Sequence, residues 1–434
     1  MPHKPRVLII TYYWPPAGGS GVQRWLKFAR YLPEYGIEPY VFAPENADYP
    51  TLDASLSNDV RADLKIIRRP IWEPYRVLNA IRKIFGRSNA TASSASSGDN
   101  GGWMAWIRGN FFIPDPRVFW VRPSLKWLTE NLPAMGIDTV ITTGPPHSVH
   151  LIGLGLKKRI PHLNWIADFR DPWTTWGALE KFKPGLRARR RHAELESLVL
   201  GAADRVLTIS PFYVRQLEAL SGRRVHLIRN GFDEADFSGL MPRRTDEFVL
   251  RHVGIVHPEC DMEQFLDVFR KWADMPEHHQ RVRLVFTGQV PSVFRQRVND
   301  DVRLRSCVVF QDPVPHSELI KLYSESSALL MVLSGFRDAE GFLPGKLYEY
   351  LATGLPVVAA GPAAGDAAEL LTSCGWSAPA EDEQEILIQL DSAFRHWQSA
   401  ENPQVLSPAA LAWSRKAEAE RLAQLLTDLS RTPA

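Results

Sequence analysis

The chain has 434 residues, enough for two or three domains with cores of their own. Hydrophobic residues make up 45% and charged residues 23%, which excludes a disordered chain, and a net charge of +2 is too small for a nucleic-acid footprint. Cys260, Cys307 and Cys374 are too scattered for a disulfide framework or a zinc site, no apolar run reaches the roughly 20 residues of a membrane span, and no signal-peptide pattern opens the chain, so a cytoplasmic protein is expected.

Arg6 to Tyr12 (RVLIITY) is a short β-branched apolar run and reads as a buried first strand. The turn Trp14-Pro15-Pro16-Ala17-Gly18-Gly19-Ser20-Gly21 follows, and Val22, Trp25, Leu26, Ala29 and Leu32 then mark a helical stripe. Strand, glycine-rich loop and helix make a Rossmann-type opening. Gly18 and Gly19 let backbone N–H groups approach a phosphate, although a ligand-free turn has the same composition. The G-x-G-x-x-G spacing of dinucleotide sites is absent. Pro39 to Ala43 and Leu64 to Arg68 read as further strands. Residues 88–102 are small and polar and are expected to be disordered. Their flanks, 71–85 and 103–112, interleave aromatic and basic residues. Helices lying on a membrane do this, and so do core helices with solvated arginines.

Asp138 to Thr142 is a strand, and Thr143-Gly144-Pro145-Pro146-His147-Ser148 lies at its carboxyl end. His147 therefore stands where open α/β sheets bind ligands. The next strand runs into Asp168-Phe169-Arg170-Asp171-Pro172-Trp173. Asp168, Arg170 and Asp171 make either a local salt bridge or a set that binds hydroxyls. Lys181, Lys183 and the run Arg187 to Arg191 form a basic patch that faces anionic lipid or water. Strands at Val206–Ser210 and Val225–Ile228 lead to the tight turn Asn230-Gly231-Phe232-Asp233. The first domain is thus 1–233, with a polar linker over 234–246.

The second domain, 247–405, repeats the pattern. Strands are expected at Phe248–Val253, Arg283–Gly288, Val308–Phe310, Ala328–Leu333 and Pro356–Ala360. Between the last two, a helix begins near Gly345 and stops at Gly354. Lys346 and Glu349 share one face of it near its N-terminus. A cation at a helix N-terminus suits phosphate and a carboxylate one turn in suits a sugar hydroxyl; an ordinary surface pair has the same spacing. Residues 381–398 and 407–427 read as amphipathic helices, and the segment 406–434 is expected to cross back to the first domain.

From residue 6 to about residue 425 these strings resemble family-4 retaining glycosyltransferases of the GT-B fold. The carriers are the glycine-rich opening, Thr142–Ser148 (T-x-G-P-P-H-S), Asp168–Trp173 (D-F-R-D-P-W), Asn230–Asp233 and Glu349–Val357 (E-x-L-A-x-G-x-P-V). The resemblance implies an α/β architecture of two Rossmann-like domains whose parallel sheets face each other across a cleft. It implies transfer of a hexosyl residue from a nucleoside-diphosphate sugar to a saccharide or lipid-linked saccharide, with retention, in surface or exopolysaccharide assembly. No metal or cofactor is implied. The enzyme would be cytoplasmic or peripheral at the inner face of the plasma membrane, with an anionic membrane surface as a partner.

The same resemblance assigns residues. Glu349 holds the ribose, Val314 in the segment Gln311–Leu319 meets the base, and Gly18, Gly19, Gly254, Gly288 and Gly341 line the donor. His147 contacts the transferred sugar and, with Glu340 and Lys346, makes the catalytic set. Asp168, Arg170 and Asp171 bind the acceptor. Two positions depart from the family. The first glutamate, eight residues before Glu349, is Gly341 here, with Glu340 one residue earlier. The loop 255–261 has no Arg or Lys to grip a diphosphate, which leaves Lys346, Arg337 or His257 to do so. Two other classes remain open: a nucleotide-sugar epimerase using Asp168, Asp171 and Glu340, and a non-catalytic scaffold that binds nucleotide sugars.

Overall fold

A computed structural model describes residues 4–73, 102–175, 177–260, 262–333, 339–399 and 403–431. The expected disorder over 88–101, the flank from 74 to 85 and Arg337 lie outside the described residues. The chain divides into two compact units, Met1–Arg229 with Glu418–Ala434, and Asn230–Ala417.

The first unit is built on seven strands: β1 (Arg6–Ile10), β2 (Glu38–Pro44), β3 (Lys65–Arg69), β4 (Thr139–Gly144), β5 (Asn164–Phe169), β6 (Arg205–Thr208) and β7 (Val225–Leu227). They run in the order β3-β2-β1-β4-β5-β6-β7, every neighbouring pair parallel. In β1 the side chains alternate between two cores. Leu8 and Ile10 face Trp120, Val140 and Trp165, while Val7 and Ile9 face Trp25, Ile141 and Ile166. A strand covered on both faces explains why its sequence is continuously apolar. The second core is sealed by Ala419, Leu422, Ala423, Leu426 and Leu429 of the last helix, Arg415–Arg431. That helix was expected to run from 407. The structure instead breaks it after Pro408–Leu411, because Arg415 N turns to donate to Phe232 O at 2.7 Å.

The second unit has β8 (Phe248–Val253), β9 (Val282–Thr287), β10 (Val308–Gln311), β11 (Ala328–Val332) and β12 (Val357–Ala360). Their order is β10-β9-β8-β11-β12, again all parallel. The expected linker 234–246 is more structured than its polar composition suggests. It forms a helical turn, Glu234–Phe237, and buries Phe237 and Leu240 beside Tyr323, Leu347 and Leu351.

Each sheet reverses its winding once, at β1/β4 and at β8/β11. At such a point the loops leaving the two strands diverge, and a crevice opens beyond their carboxyl ends. The described residues of the loops concerned are 11–19 and 145–147 in the first unit, and 254–260, 333 and 339–344 in the second.

One correction follows from this packing. Asp168, expected to face an acceptor, is fully buried in the first unit. Its Oδ1 accepts from Arg24 Nη2 at 3.0 Å, and its Oδ2 from Trp25 Nε1 and Thr143 Oγ1 at 2.9 Å each. Arg24 also donates to Arg229 O at 2.6 Å. The carboxylate has no face left for a sugar; it docks the helix Ser20–Tyr31 onto the sheet. Once buried, an ion pair of this kind holds only if both partners stay, since a lone buried charge is costly.

Candidate functional site

In the second unit the site is built around the helix Gly345–Thr353, which follows β11 and ends at Gly354 in the left-handed conformation. Glu349 is buried on this helix. Tyr323 Oη donates to its Oε2 at 2.9 Å, and His316 Nε2 lies 3.4 Å from its Oε1. Burial alone would raise the carboxyl pKa. The hydrogen bond and charge of His316, helped by Arg415 and Tyr323, outweigh burial and hold it below the ordinary value. Burial likewise opposes a proton on His316, but Glu349 wins and raises its pKa. Glu349 is therefore a carboxylate fixed in its charged form.

Lys346, half-buried one turn earlier, places Nζ 2.6 Å from His252 Nε2. Burial pushes the amine down to about 8, against the opposite pull of Cys260 and Glu349. Burial, then Lys346 and His257, push His252 well below its ordinary range, so His252 is the neutral acceptor and Lys346 the donor. Around them the strand ends are bare. Gly254 and Gly288 have φ of +101° and +135°, and a Cβ on Gly288 would stand 2.2 Å from Gly254 O. Only glycine fits there. Glu340 is exposed on the short turn Ala339–Gly341, with its backbone 2.8 Å from where a Cβ on Gly365 would be; Gly341 is buried. Val314 is half-buried in the loop after β10.

In the first unit His147 sits between β4 and the helix Ser148–Arg159. Asp115 caps that helix, accepting from Ser148 N and Ser148 Oγ at 2.8 Å each. The His147 ring stacks on Trp173, with centroids 4.9 Å apart and planes 2° from parallel. Trp173 is held in turn, its Nε1 donating to His192 Nδ1 at 2.9 Å and its backbone N to Glu196 Oε1 at 3.2 Å. Burial above all, then His150, His192 and Arg170, keep His147 neutral. Arg170 clamps the turn that carries it, donating to Gly144 O at 3.0 Å and Pro145 O at 2.8 Å. The same guanidinium lies against Gly21, where a Cβ would come within 1.7 Å of Nη1. Asp171 is half-buried and accepts no hydrogen bond among the described residues, and burial raises its pKa despite Arg170. Gly19, at φ +105°, ends the loop over open space at the N-terminus of Ser20–Tyr31, while Gly18 N donates to Thr51 O at 3.0 Å.

The structure thus gathers Gly254, Gly288, Lys346 and Glu349 around one switch point, and Gly19, His147 and Arg170 around the other. His252, His316, Tyr323, Trp173 and Gly21 were not singled out from sequence. His252 carried a readable signal, standing two residues before a glycine at a strand end. His316 lay inside the segment 311–319 without a role. Trp173 closes the string Asp168–Trp173 without a role of its own, and nothing local marks Tyr323, which acts through a long-range contact.

Residues 247–395 match the family model for group 1 glycosyl transferases. No curated protein matches the chain by sequence. Among solved structures, a glycosyltransferase from Rickettsia africae ESF-5 is similar with a TM-score of 0.62 and 13% identity, covering 99% of this chain and 99% of that one. Sucrose-phosphate synthase from Thermosynechococcus elongatus gives 0.61 and 15% identity over 98% and 99%. The Anabaena protein HepE, solved with UDP and glucose, gives 0.58 and 15% identity over 98% and 99%. At these identities the likeness is one of fold. Residues 247–395 are therefore similar to group 1 glycosyl transferases, within a chain whose two parallel-sheet units have the GT-B fold.

Proposed function

We propose that the chain transfers a hexosyl residue from a nucleoside-diphosphate sugar to a saccharide or lipid-linked saccharide, with retention at the anomeric carbon. One observation carries the reading. A cation and a carboxylate whose pKa is held below its ordinary value, Lys346 and Glu349, share one face at the start of a helix, in the part of the chain that matches group 1 glycosyl transferases. In this reading Glu349 accepts from the ribose hydroxyls, and Gly254, Gly288, Gly341 and Val314 line the nucleotide. Lys346 and the N–H groups at the start of Gly345–Thr353 bear the charge of the departing diphosphate. No Arg or Lys lies in the described part of the loop after β8, so Lys346 carries more of that charge. The proposal requires no metal.

His147 is kept neutral, which suits hydrogen bonding to the transferred sugar rather than acid catalysis. Asp171 takes the acceptor hydroxyl, Arg170 sets the turn that holds His147, and Glu340 borders the donor sugar. The acceptor oxygen bonds to the anomeric carbon on the face from which the phosphate oxygen leaves, and the hydroxyl proton passes to that oxygen. Incubation with donor and acceptor, read by NMR of the new linkage, should give the donor's anomeric configuration. An inverted linkage would rule out this mechanism, and epimerised donor formed without acceptor would rule out transfer.

Only the protonated Lys346 attracts a diphosphate. Its pKa is depressed to about 8, so donor affinity should be full below that pH and fall as pH rises through it. Glu349, with its pKa lowered, stays charged throughout that range. Calorimetric titration of nucleoside diphosphate at rising pH should show the alkaline loss, and Lys346→Met should remove it. A wild-type affinity that stays level well above pH 8 counts against Lys346 as the diphosphate ligand.

We further propose that the first unit docks reversibly on an anionic membrane. No helix among the described residues is long and apolar enough to cross one. The helix Gly102–Phe111 exposes Trp106 and Phe111, and Asn110 ties it to Gly185, next to the exposed Leu186. Arg187 and Arg190 are exposed on the same helix as Leu186 and make no ion pair among the described residues, whereas Arg189 pairs with Glu180 and Arg191 with Glu194. Exposed apolar side chains with two unpaired arginines beside Leu186 match an anionic lipid surface, at roughly 1 kcal/mol per basic residue. The chain should sediment with anionic vesicles at low salt and detach at high salt. Arg187→Glu with Arg190→Glu should abolish most of the binding. Wild type that stays in the supernatant at low salt would end the membrane proposal.

A further inference from the structure

Gln311 ends β10, and its backbone carbonyl accepts from Gly288 N at 3.0 Å. Beneath its side chain lies a buried cation. Arg251, on β8, donates from Nη1 to Gln311 Oε1 at 3.0 Å and to Thr287 Oγ1 at 3.1 Å, and from Nε to Ser326 Oγ at 3.0 Å. Thr287 Oγ1 donates in turn to Gln311 Oε1 at 2.8 Å. A guanidinium has donors only, so the oxygen of Gln311, and not its nitrogen, must face Arg251. The usual ambiguity in placing an amide is removed by this partner.

The consequence is a pointed donor. Gln311 is exposed, its oxygen is engaged by two buried groups, and its NH2 donates to no described residue. The cation under the carbonyl polarises the amide and strengthens the outward N–H groups. Beside it, Gly254 and Gly288 carry no side chain at the ends of β8 and β9, and nothing lies within 4 Å of where a Cβ on Gly254 would stand.

We propose that Gln311 selects the nucleotide base. It takes a base with a keto oxygen and turns away one with an exocyclic amine at the same position. This deepens the donor site proposed above and rests on it. An amine opposite the amide would bring donor against donor, leaving both without an acceptor once water is excluded. Uracil is thereby favoured over cytosine, and guanine over adenine.

The test is calorimetric titration of the full chain with UDP, CDP, GDP and ADP, for wild type, Gln311→Ala and Gln311→Glu. Glutamate keeps one oxygen on Arg251 and puts a second, an acceptor, where the amide donors stood. Wild type should prefer UDP to CDP and GDP to ADP by about tenfold. Alanine should bring each pair near parity, and glutamate should invert the preference. Each ratio is taken within one variant, so a general loss of affinity cancels. The same preference in all three variants, or a wild-type preference for CDP and ADP, overturns the role of Gln311 and leaves the donor site standing. Failure of wild type to bind any of the four overturns the donor site as well.

Discussion

Parallel strand pairing is the constraint on which the rest of this molecule depends. With every strand in a sheet pointing the same way, all strand-to-helix loops of that sheet leave from one edge. The reversals at β1/β4 and β8/β11 then decide which of those loops flank an opening. His147 and the glycine-rich loop belong to the first reversal, and Gly254, Lys346 and Glu349 to the second. The proposed chemistry uses the space that the topology leaves, and the covered faces explain why β1, β11 and β12 are almost wholly apolar.

Charge is handled in two ways in this fold. Where the task is structural, a pair closes on itself: Asp168 and Arg24 spend their hydrogen bonds on each other and on Trp25, Thr143 and Arg229. At the strand ends the partners are chosen to hold a group without consuming it. His252 pins the Lys346 amine through one hydrogen bond and is itself kept neutral, leaving the other N–H groups of an ammonium for a ligand. Tyr323 and His316 fix Glu349 in its charged form in the same manner. Rigid support of this kind is what pre-organised electrostatic stabilisation needs.

Much of this was legible in the sequence. The strands announced themselves as short β-branched runs, and the positions of Lys346 and Glu349 followed from a capped helix between two of them. What misled was local charge. Asp168 and Asp171 look alike in D-F-R-D, yet Asp168 lies on β5 facing Arg24 and Asp171 lies beyond the strand, a difference set by a helix 144 residues away in sequence. The run Arg187 to Arg191 reads as uniform, but Glu180 and Glu194 neutralise two of its arginines. The polar segment 234–246 reads as a linker because its two buried apolar residues, Phe237 and Leu240, are too few to signal burial. Each error arises where a residue's environment is supplied by distant chain.

The central claim is that the helix Gly345–Thr353 presents a nucleotide-sugar site through Glu349. Calorimetric titration of Glu349→Ala with the best-bound nucleoside diphosphate, on protein shown to be folded by circular dichroism, tests it most directly. The account predicts weakening by about 1.5–3 kcal/mol, the worth of hydrogen bonds to a charged group. An affinity equal to that of wild type would contradict it.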